Sequence, residues 1–383
     1  MSEASEPGRH DLKELATVFF KLGTIAFGGP VAHIAMMEEE IVNRRRWITS
    51  EKLLDLLGVT SLIPGPNSTE LAIHIGYERA GWKGLFVAGS CFILPAMTLV
   101  WILAAIYDRA LTLPQIEGLL YGIKPFILLI IVKALWKLGR KAVKDLTTAI
   151  ATIAVIIAFF VGVNEILLLL LAGLGVMIIR NLASIDGATG ITLITVAPDI
   201  QTSSLKNLSH SWWSVFLFFL KVGSVLYGSG YVLLAFLQRD LVERSQWLTS
   251  QQLLDAVAIG QITPGPVFST ATFIGYLLAG NLGAIAATVG IFLPAFVLVG
   301  VINPWVDRIR QSVWTSSFLD GVNAASLGLM TTVTYTLART AVVDWFTVLL
   351  LILDAIALFR YQISSIWLIV FGAIAGLTWQ GFM

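Results

Sequence analysis

The chain has 383 residues, 57% hydrophobic and only 13% charged, and its mean hydropathy of +0.83 lies far above that of a water-soluble globule of this length. This composition excludes a soluble enzyme and marks an integral membrane protein whose main partner is the lipid bilayer. A net charge of +1 without a long Lys/Arg tail leaves no footprint for nucleic acid, and the single cysteine, Cys91, cannot make an intrachain disulfide.

In chain order, residues 1–11 read as an N-terminal tail without the basic and apolar regions of a cleaved signal peptide. A first repeat, 12–180, opens with an amphipathic helix carrying Lys21. A glycine-rich break follows, "KLGTIAFGGP" at 21–30, which includes Gly28, Gly29 and Pro30. Then come His33, the acidic run Glu38 to Glu40, a short helix near 52–63 that Thr49 or Ser50 would cap, and "SLIPGPNSTE" at 61–70. A second short helix near 66–80 leads into four apolar segments near 84–106, 117–137, 146–162 and 165–180. A helix needs about 20 apolar residues to span the hydrocarbon core. The two short helices around Pro64-Gly65-Pro66 fall below that, so a re-entrant or broken helix is expected there.

A polar linker, 181–211, leads to a second repeat, 212–383, with the same order of segments. "WITSEKLLD" at 47–55 recurs as "WLTSQQLLD" at 247–255, Lys21 as Lys221, Gly28 as Gly228, and Pro64-Gly65-Pro66 as Pro264-Gly265-Pro266. After a one-residue deletion, Gly76-Tyr77 matches Gly275-Tyr276 and Pro95-Ala96 matches Pro294-Ala295. Opposite loops of the two halves are basic: Lys137, Arg140, Lys141 and Lys144 face a counterpart with Arg339 and Asp344. By the positive-inside rule this predicts inverted-topology repeats. The expected fold is therefore an all-α polytopic membrane protein, with about ten spanning helices, a broken helix at each PGP and both termini outside.

Inverted repeats with interrupted helices point to alternating-access transport around a midplane site. Pro64 removes an amide donor, Gly65 permits a sharp turn and Pro66 suits the first position of the next helix. The amides of Asn67, Ser68 and Thr69 would then be unpaired donors at the positive end of a helix dipole, which suits an anion. Ser269 and Thr270 offer hydroxyls beside the second break. Lys21 and Lys221, each costing about 2.5 to 3.5 kcal/mol at a helix centre on insertion scales, are candidates for charge compensation. His33, Glu70, Asp55 and Asp255 are the candidates for ion coupling, although Asp55 and Asp255 sit in a capped-helix context that favours a structural role. His10, His33, His74 and His210 show no metal-ligand spacing. No P-loop, zincin motif or nucleophile elbow is present. No cofactor, metal or enzymatic activity is therefore expected.

The stretch "FFKLGTIAFGGPVAHIAMMEEEIV", followed by "RRRWITSEKLLDLLGVTSLIPGPNSTELAIHIGYERAGWKG" and "FILPA", closely resembles the chromate ion transporter family in its long form of two fused homologous halves. The resemblance covers nearly the whole chain. It implies a multi-pass carrier of the cytoplasmic membrane that exports chromate, confers chromate resistance, takes sulfate as the related anion and is driven by an ion gradient or by anion exchange. The family motif falls on Phe27, Gly28, Gly29, Pro30, His33, Trp47, Pro64, Gly65, Pro66, Asn67 and Ser68. The second half departs from it at Tyr227, Ser229, Gly230, Val267 and Phe268, so the first half is expected to hold more of the ligand chemistry. Alternatives are a carrier for sulfate, another small anion or an organic acid, a membrane enzyme, or a receptor without flux. The coupling ion, the direction of flux and a homodimer stay open.

Overall fold

The computed structural model describes residues 9–27, 29–60, 63–110, 114–182, 211–227, 230–303, 313–361, 363 and 365–381. Gly28, Gly228, Ser229, residues 1–8 of the expected tail and 183–210 of the expected linker lie outside the described residues. The first half folds as α1 (Arg9–Ile25), α2 (Gly29–Met37) running into a π-helical segment (Glu38–Arg44), α3 (Ser50–Thr60), α4 (Asn67–Ala110), α5 (Pro114–Ala142), α6 (Leu146–Phe160) and α7 (Glu165–Leu182). The second half gives α8 (Trp212–Val225), a 3-10 turn (Gly230–Val232), α9 (Leu233–Phe236), a π-helical segment (Leu237–Arg244), α10 (Ser250–Ile262), a 3-10 turn (Val267–Ser269), α11 (Thr270–Ile302), α12 (Val313–Ala341), α13 (Trp345–Phe359) and α14 (Ser365–Gln380).

Matching sequence produces matching local structure. The Thr49 hydroxyl accepts the Lys52 amide at 3.2 Å, and Thr249 accepts that of Gln252 at 3.1 Å. Asp145 with Thr148 and Asp344 with Thr347 form equivalent capping boxes at the starts of α6 and α13. Arg46 and Gln246 both take positive φ, 54° and 55°, just after the π-helical segments.

The long helices α4 and α11 are each a hairpin of two helical arms. The break lies at Ala80 (φ −148°) and Gly81 (φ 55°) in α4, and at Ala279 (φ −147°) and Gly280 (φ 60°) in α11. Glycine accepts that positive φ without Cβ strain, so the re-entrant arm turns back with no connecting loop. The arms then touch backbone to backbone. A Cβ on Gly76 would lie 2.4 Å from the Gly84 carbonyl oxygen, and one on Gly275 would lie 2.2 Å from that of Gly283.

Among the described residues three stretches, Asn67–Arg109, Gly118–Ala142 and Val267–Ile302, are long and apolar enough to cross a membrane, and four shorter apolar helices accompany them. The first and third contain the hairpins, so their spanning portions are the outgoing arms. Ile150, Ile153, Ile157 and Phe160 on α6, and Leu349, Ile352, Ile356 and Phe359 on α13, are exposed. Such apolar faces are stable when lipid covers them.

The halves interlock reciprocally. Gly122 of α5 packs against Gly372 of α14, and its counterpart Gly321 of α12 packs against Gly173 of α7. Small residues there let the helix backbones approach closely. An exchanged set of contacts of this kind is the signature of a two-fold relation between two copies of one unit.

Candidate functional site

The two PGP breaks are seated on each other's half. The Gly65 amide donates to the carbonyl of Leu226 at 2.8 Å, and the Gly265 amide donates to that of Ala26 at 3.0 Å. Gly65 has φ 144° and Gly265 φ 91°, conformations that disfavour any residue with a Cβ. Their Cα faces rest on the opposite Pro-Ala motif. A Cβ on Gly65 would stand 3.5 Å from Ala295 Cβ, and one on Gly265 would stand 2.7 Å from Ala96 Cβ. The proline-alanine pairs that mark the outgoing arms therefore serve as seats for the partner break. Each break in turn terminates the first helix of the other half.

After the first break a helix begins and after the second a 3-10 turn that leads into one, so the first amides of each have no preceding turn to bond to. In the first half the Thr69 and Glu70 amides are already taken by the Pro66 carbonyl, at 2.8 and 3.1 Å. Among the described residues, the amides of Asn67 and Ser68 meet no backbone acceptor. This revises the expected donor set, because the Thr69 amide is spent on the turn. In the second half the Ser269 amide likewise bonds to the Pro266 carbonyl at 3.0 Å, so the positions that correspond to Asn67 and Ser68 are Val267 and Phe268.

His33, carried by α2, ties the first break together. Its Nε2 lies 3.0 Å from the Ala26 carbonyl and its Nδ1 lies 3.1 Å from Ser68 Oγ. The carbonyl only accepts, so Nε2 carries a proton. In the neutral ring Nδ1 then accepts from the Ser68 hydroxyl. That hydroxyl is committed to His33, whereas among the described residues the Ser68 backbone amide meets no backbone acceptor. Ala26 O thus serves both His33 and Gly265, one carbonyl joining both halves. Gly29 and Pro30 form the start of α2 beneath this ring, with Gly29 at φ 73°.

Several buried polar atoms at the breaks have no hydrogen-bond partner among the described residues: Asn67 Oδ1, Thr69 Oγ1, both carboxyl oxygens of Glu70, and Ser269 Oγ. Glu70 is fully buried, with its carboxyl folded over the Cα of Gly65. Burial of an unsatisfied polar group costs about 1 to 3 kcal/mol. Each of these atoms calls for a partner, which ordered water or a bound ligand can supply. Thr270 stands where Glu70 does in the first half, buried with its hydroxyl against Gly260.

The structure does not gather every expected residue here. Lys21 and Lys221 have side chains 55% and 43% exposed and pair with acids of the π-helical segments, Glu40 at 4.0 Å and Asp240 at 2.8 Å. Asp55 is half-buried on α3. Asp255 is buried on α10, where it accepts the Tyr107 hydroxyl at 2.8 Å and faces Lys124 at 3.9 Å. Lys124 is a buried cation that the sequence reading passed over, although a lysine within the apolar run 117–137 was the signal for it. Another omission is the buried bridge between halves, Glu165 to Arg239 at 2.7 Å.

A family model described as "Chromate transporter" matches residues 13–177 and again 213–377, once for each half. A "Probable chromate transport protein" of Synechococcus elongatus is 31% identical over 96% of this chain and 95% of its own length. A "Chromate transport protein" of Cupriavidus metallidurans is 32% identical over 95% of this chain and 92% of its own. An uncharacterized transporter of Bacillus subtilis is 29% identical over 34% of this chain and 73% of its own length. No solved structure matches. With both halves matched and such relatives aligned along nearly their whole length, the chain belongs to the chromate transporter family.

Proposed function

We propose that this protein is a secondary transporter that carries chromate, or sulfate as its isosteric dianion, across the cytoplasmic membrane by alternating access, in the direction of export and thereby of chromate resistance. The observation that carries the reading is the reciprocal seating of the two breaks, Gly65 on Leu226 and Gly265 on Ala26. It brings the two breaks close together, and the first amides after each break, with the dipole of the arm behind them, favour an anion. The inverted orientation of the halves, with about ten crossings, rests on the opposed basic loops and on the two-fold pattern of contacts.

The open amides of Asn67 and Ser68, the polar side chains of Asn67, Thr69, Ser269 and Thr270, and the backbone of Pro64-Gly65-Pro66 and Pro264-Gly265-Pro266 make the binding site. Lys21 and Lys221, exposed and ion-paired, contribute positive potential at the approach. An ionised Glu70 at about 4 Å from the ligand would oppose each unit of anion charge by about 4 kcal/mol at an effective dielectric of about 20. The dianion therefore binds to a protein in which Glu70 is neutral. The match of both halves to the chromate transporter family and the relatives named as transport proteins support transport over catalysis.

The test is uptake of labelled chromate and sulfate into proteoliposomes under imposed proton and sulfate gradients, with each anion competing against the other. Saturable flux inhibited by the second anion supports the proposal. Absence of flux of both anions under every gradient overturns it.

A further inference from the structure

Glu70 opens a stripe of titratable residues that continues up the re-entrant arm of α4, at Glu70, His74 and Glu78. Residues four apart share one face of a helix, about 6 Å apart along its axis. Glu70 and His74 are fully buried, whereas the Glu78 side chain is 29% exposed and paired with Lys52 at 3.4 Å. The stripe therefore runs from the break to the hairpin end of the arm. The corresponding arm of the second half, 270–279, contains no acid and no histidine.

The hydrogen bonds fix the state of the middle member. Asn303, at the end of α11, points its amide nitrogen to Glu78 Oε1 at 3.5 Å and its carbonyl oxygen to His74 Nδ1 at 2.8 Å. Nδ1 therefore holds the proton of the neutral ring. Nε2 is left as a bare base, buried and with no partner among the described residues, and both Glu70 oxygens are in the same condition. A buried base between a buried acid and a surface acid has the donor and acceptor order of a proton relay. A water molecule or a rotamer change would join its ends.

We propose that Glu70, His74 and Glu78 form a proton path that loads one proton onto Glu70 each time an oxyanion binds at the PGP breaks, so that anion movement is coupled to proton movement. The step balances. The Glu78 carboxylate, or a water beside it, takes a proton from solvent and passes it to Nε2, which leaves Glu78 ionised again. The imidazolium then releases that proton from the same nitrogen to the Glu70 carboxylate, and His74 returns to its starting tautomer. The charged and titratable groups facing the stripe are Tyr227 of the second half, within electrostatic range of Glu70, His33 through Ser68, and Lys52 and Glu78 beside His74. None of them replaces Glu70 as an acid against the bound anion.

The inference rests on the transport reading, and the experiment separates their failures. Binding to the purified full-length protein is measured from about pH 6 to about pH 9 for sulfate, which stays a dianion throughout, and at the alkaline end of that range for chromate, where it too is a dianion. One-proton linkage predicts that wild-type affinity falls about tenfold per pH unit once Glu70 is ionised in the free protein. Glu70→Gln, which mimics the neutral acid, is expected to bind with no pH slope. The same slope in both proteins, a wild type with no slope anywhere in that range, or a Glu70→Gln protein that binds neither anion overturns the proposal. If wild type binds neither anion at any pH, it is the transport reading that fails.

A second measurement does not depend on that variant folding. Proton uptake on binding to wild type is read by calorimetry in two buffers of different ionisation heat. About one proton per anion at the upper end of the pH range supports the proposal, and none overturns it. His74→Gln tests the path itself: a several-fold slower proton-coupled flux with an unchanged pH slope of binding is expected, and wild-type flux removes His74 from it.

Discussion

At the scale of single residues, the breaks depend on the absence of a Cβ. Gly265 combines φ 91° with a hypothetical Cβ 2.7 Å from Ala96 Cβ. Backbone strain costs about 1 to 3 kcal/mol at such a position, and overpacking adds a similar amount. Gly265→Ala should therefore destabilise the detergent-purified protein by about 3 kcal/mol, read as a lowered thermal midpoint. Adding Ala96→Gly should recover the steric part and leave the strain. Gly29 has positive φ but open space around its Cα, so Gly29→Ala should cost only about 1 kcal/mol of strain. Equal losses at the two glycines would remove the seating argument.

The glycines of the breaks were legible in sequence because their chemistry is local: a duplicated proline-glycine-proline permits few backbones. The positions of the lysines were not. Lys21 and Lys221 lie in apolar helices, but their ion-pair partners Glu40 and Asp240 are 19 residues away and come into reach only once the chain has folded back. His74 was read for metal spacing and set aside. Its meaning lies in the four-residue step from Glu70 and in Asn303, which arrives from the other half.

At the scale of elements, the apolar runs near 84–106, 117–137, 146–162 and 165–180 correspond to the outgoing arm of α4 and to α5, α6 and α7. Hydropathy makes such segments visible. The π-helical segments were not visible, because a shifted hydrogen-bond register leaves no compositional trace. Caps stand between these cases. Asp145 accepts the Thr148 amide at 2.9 Å and takes Arg180 at 2.6 Å. The Thr148 backbone bond, then its hydroxyl and Arg180, hold the Asp145 carboxyl down at about 2, below the ordinary 3.8. The folded-state value is the depressed one, so the stabilisation is complete above about pH 4 and is lost as pH falls towards about 2. Asp145→Ala should lower stability by about 1 kcal/mol at neutral pH. The gap to wild type should close between about pH 4 and about pH 2, as followed by thermal unfolding. A gap that widens on acidification would contradict the assigned cap.

At the scale of the whole molecule, the halves are alike in sequence and unlike in packing. On α10, every residue from Leu253 to Gly260 is buried, whereas on α3 only Leu53, Leu56, Val59 and Thr60 are, a single face. Leu254 is 0% exposed and its counterpart Leu54 is 64% exposed. Residues Leu237 to Leu241 are all buried, while Glu38 and Glu39 are exposed. The cover over the second half comes from α5 and α12, and Glu165 of α7, which packs on α12, holds the assembly to the π-helical segment through Arg239. The duplication was legible in the sequence, but this asymmetry was not, because two similar sequences cannot state which of them is covered. In a transporter built from two related halves, a conformer covered on one side implies its exchange partner, covered on the other. Removing one member of a buried ion pair costs about 3 to 5 kcal/mol, all of it in the conformer that contains the pair. Glu165→Gln should therefore move the population towards the exchanged conformer. In a background with Cys91→Ala, the thiol of Leu254→Cys should be protected from a polar maleimide when Glu165 is present and labelled several-fold faster in Glu165→Gln. Leu54→Cys should change in the opposite sense. If both thiols keep their rates when Glu165 is replaced, or shift together, the two halves do not exchange cover and the alternating-access proposal fails.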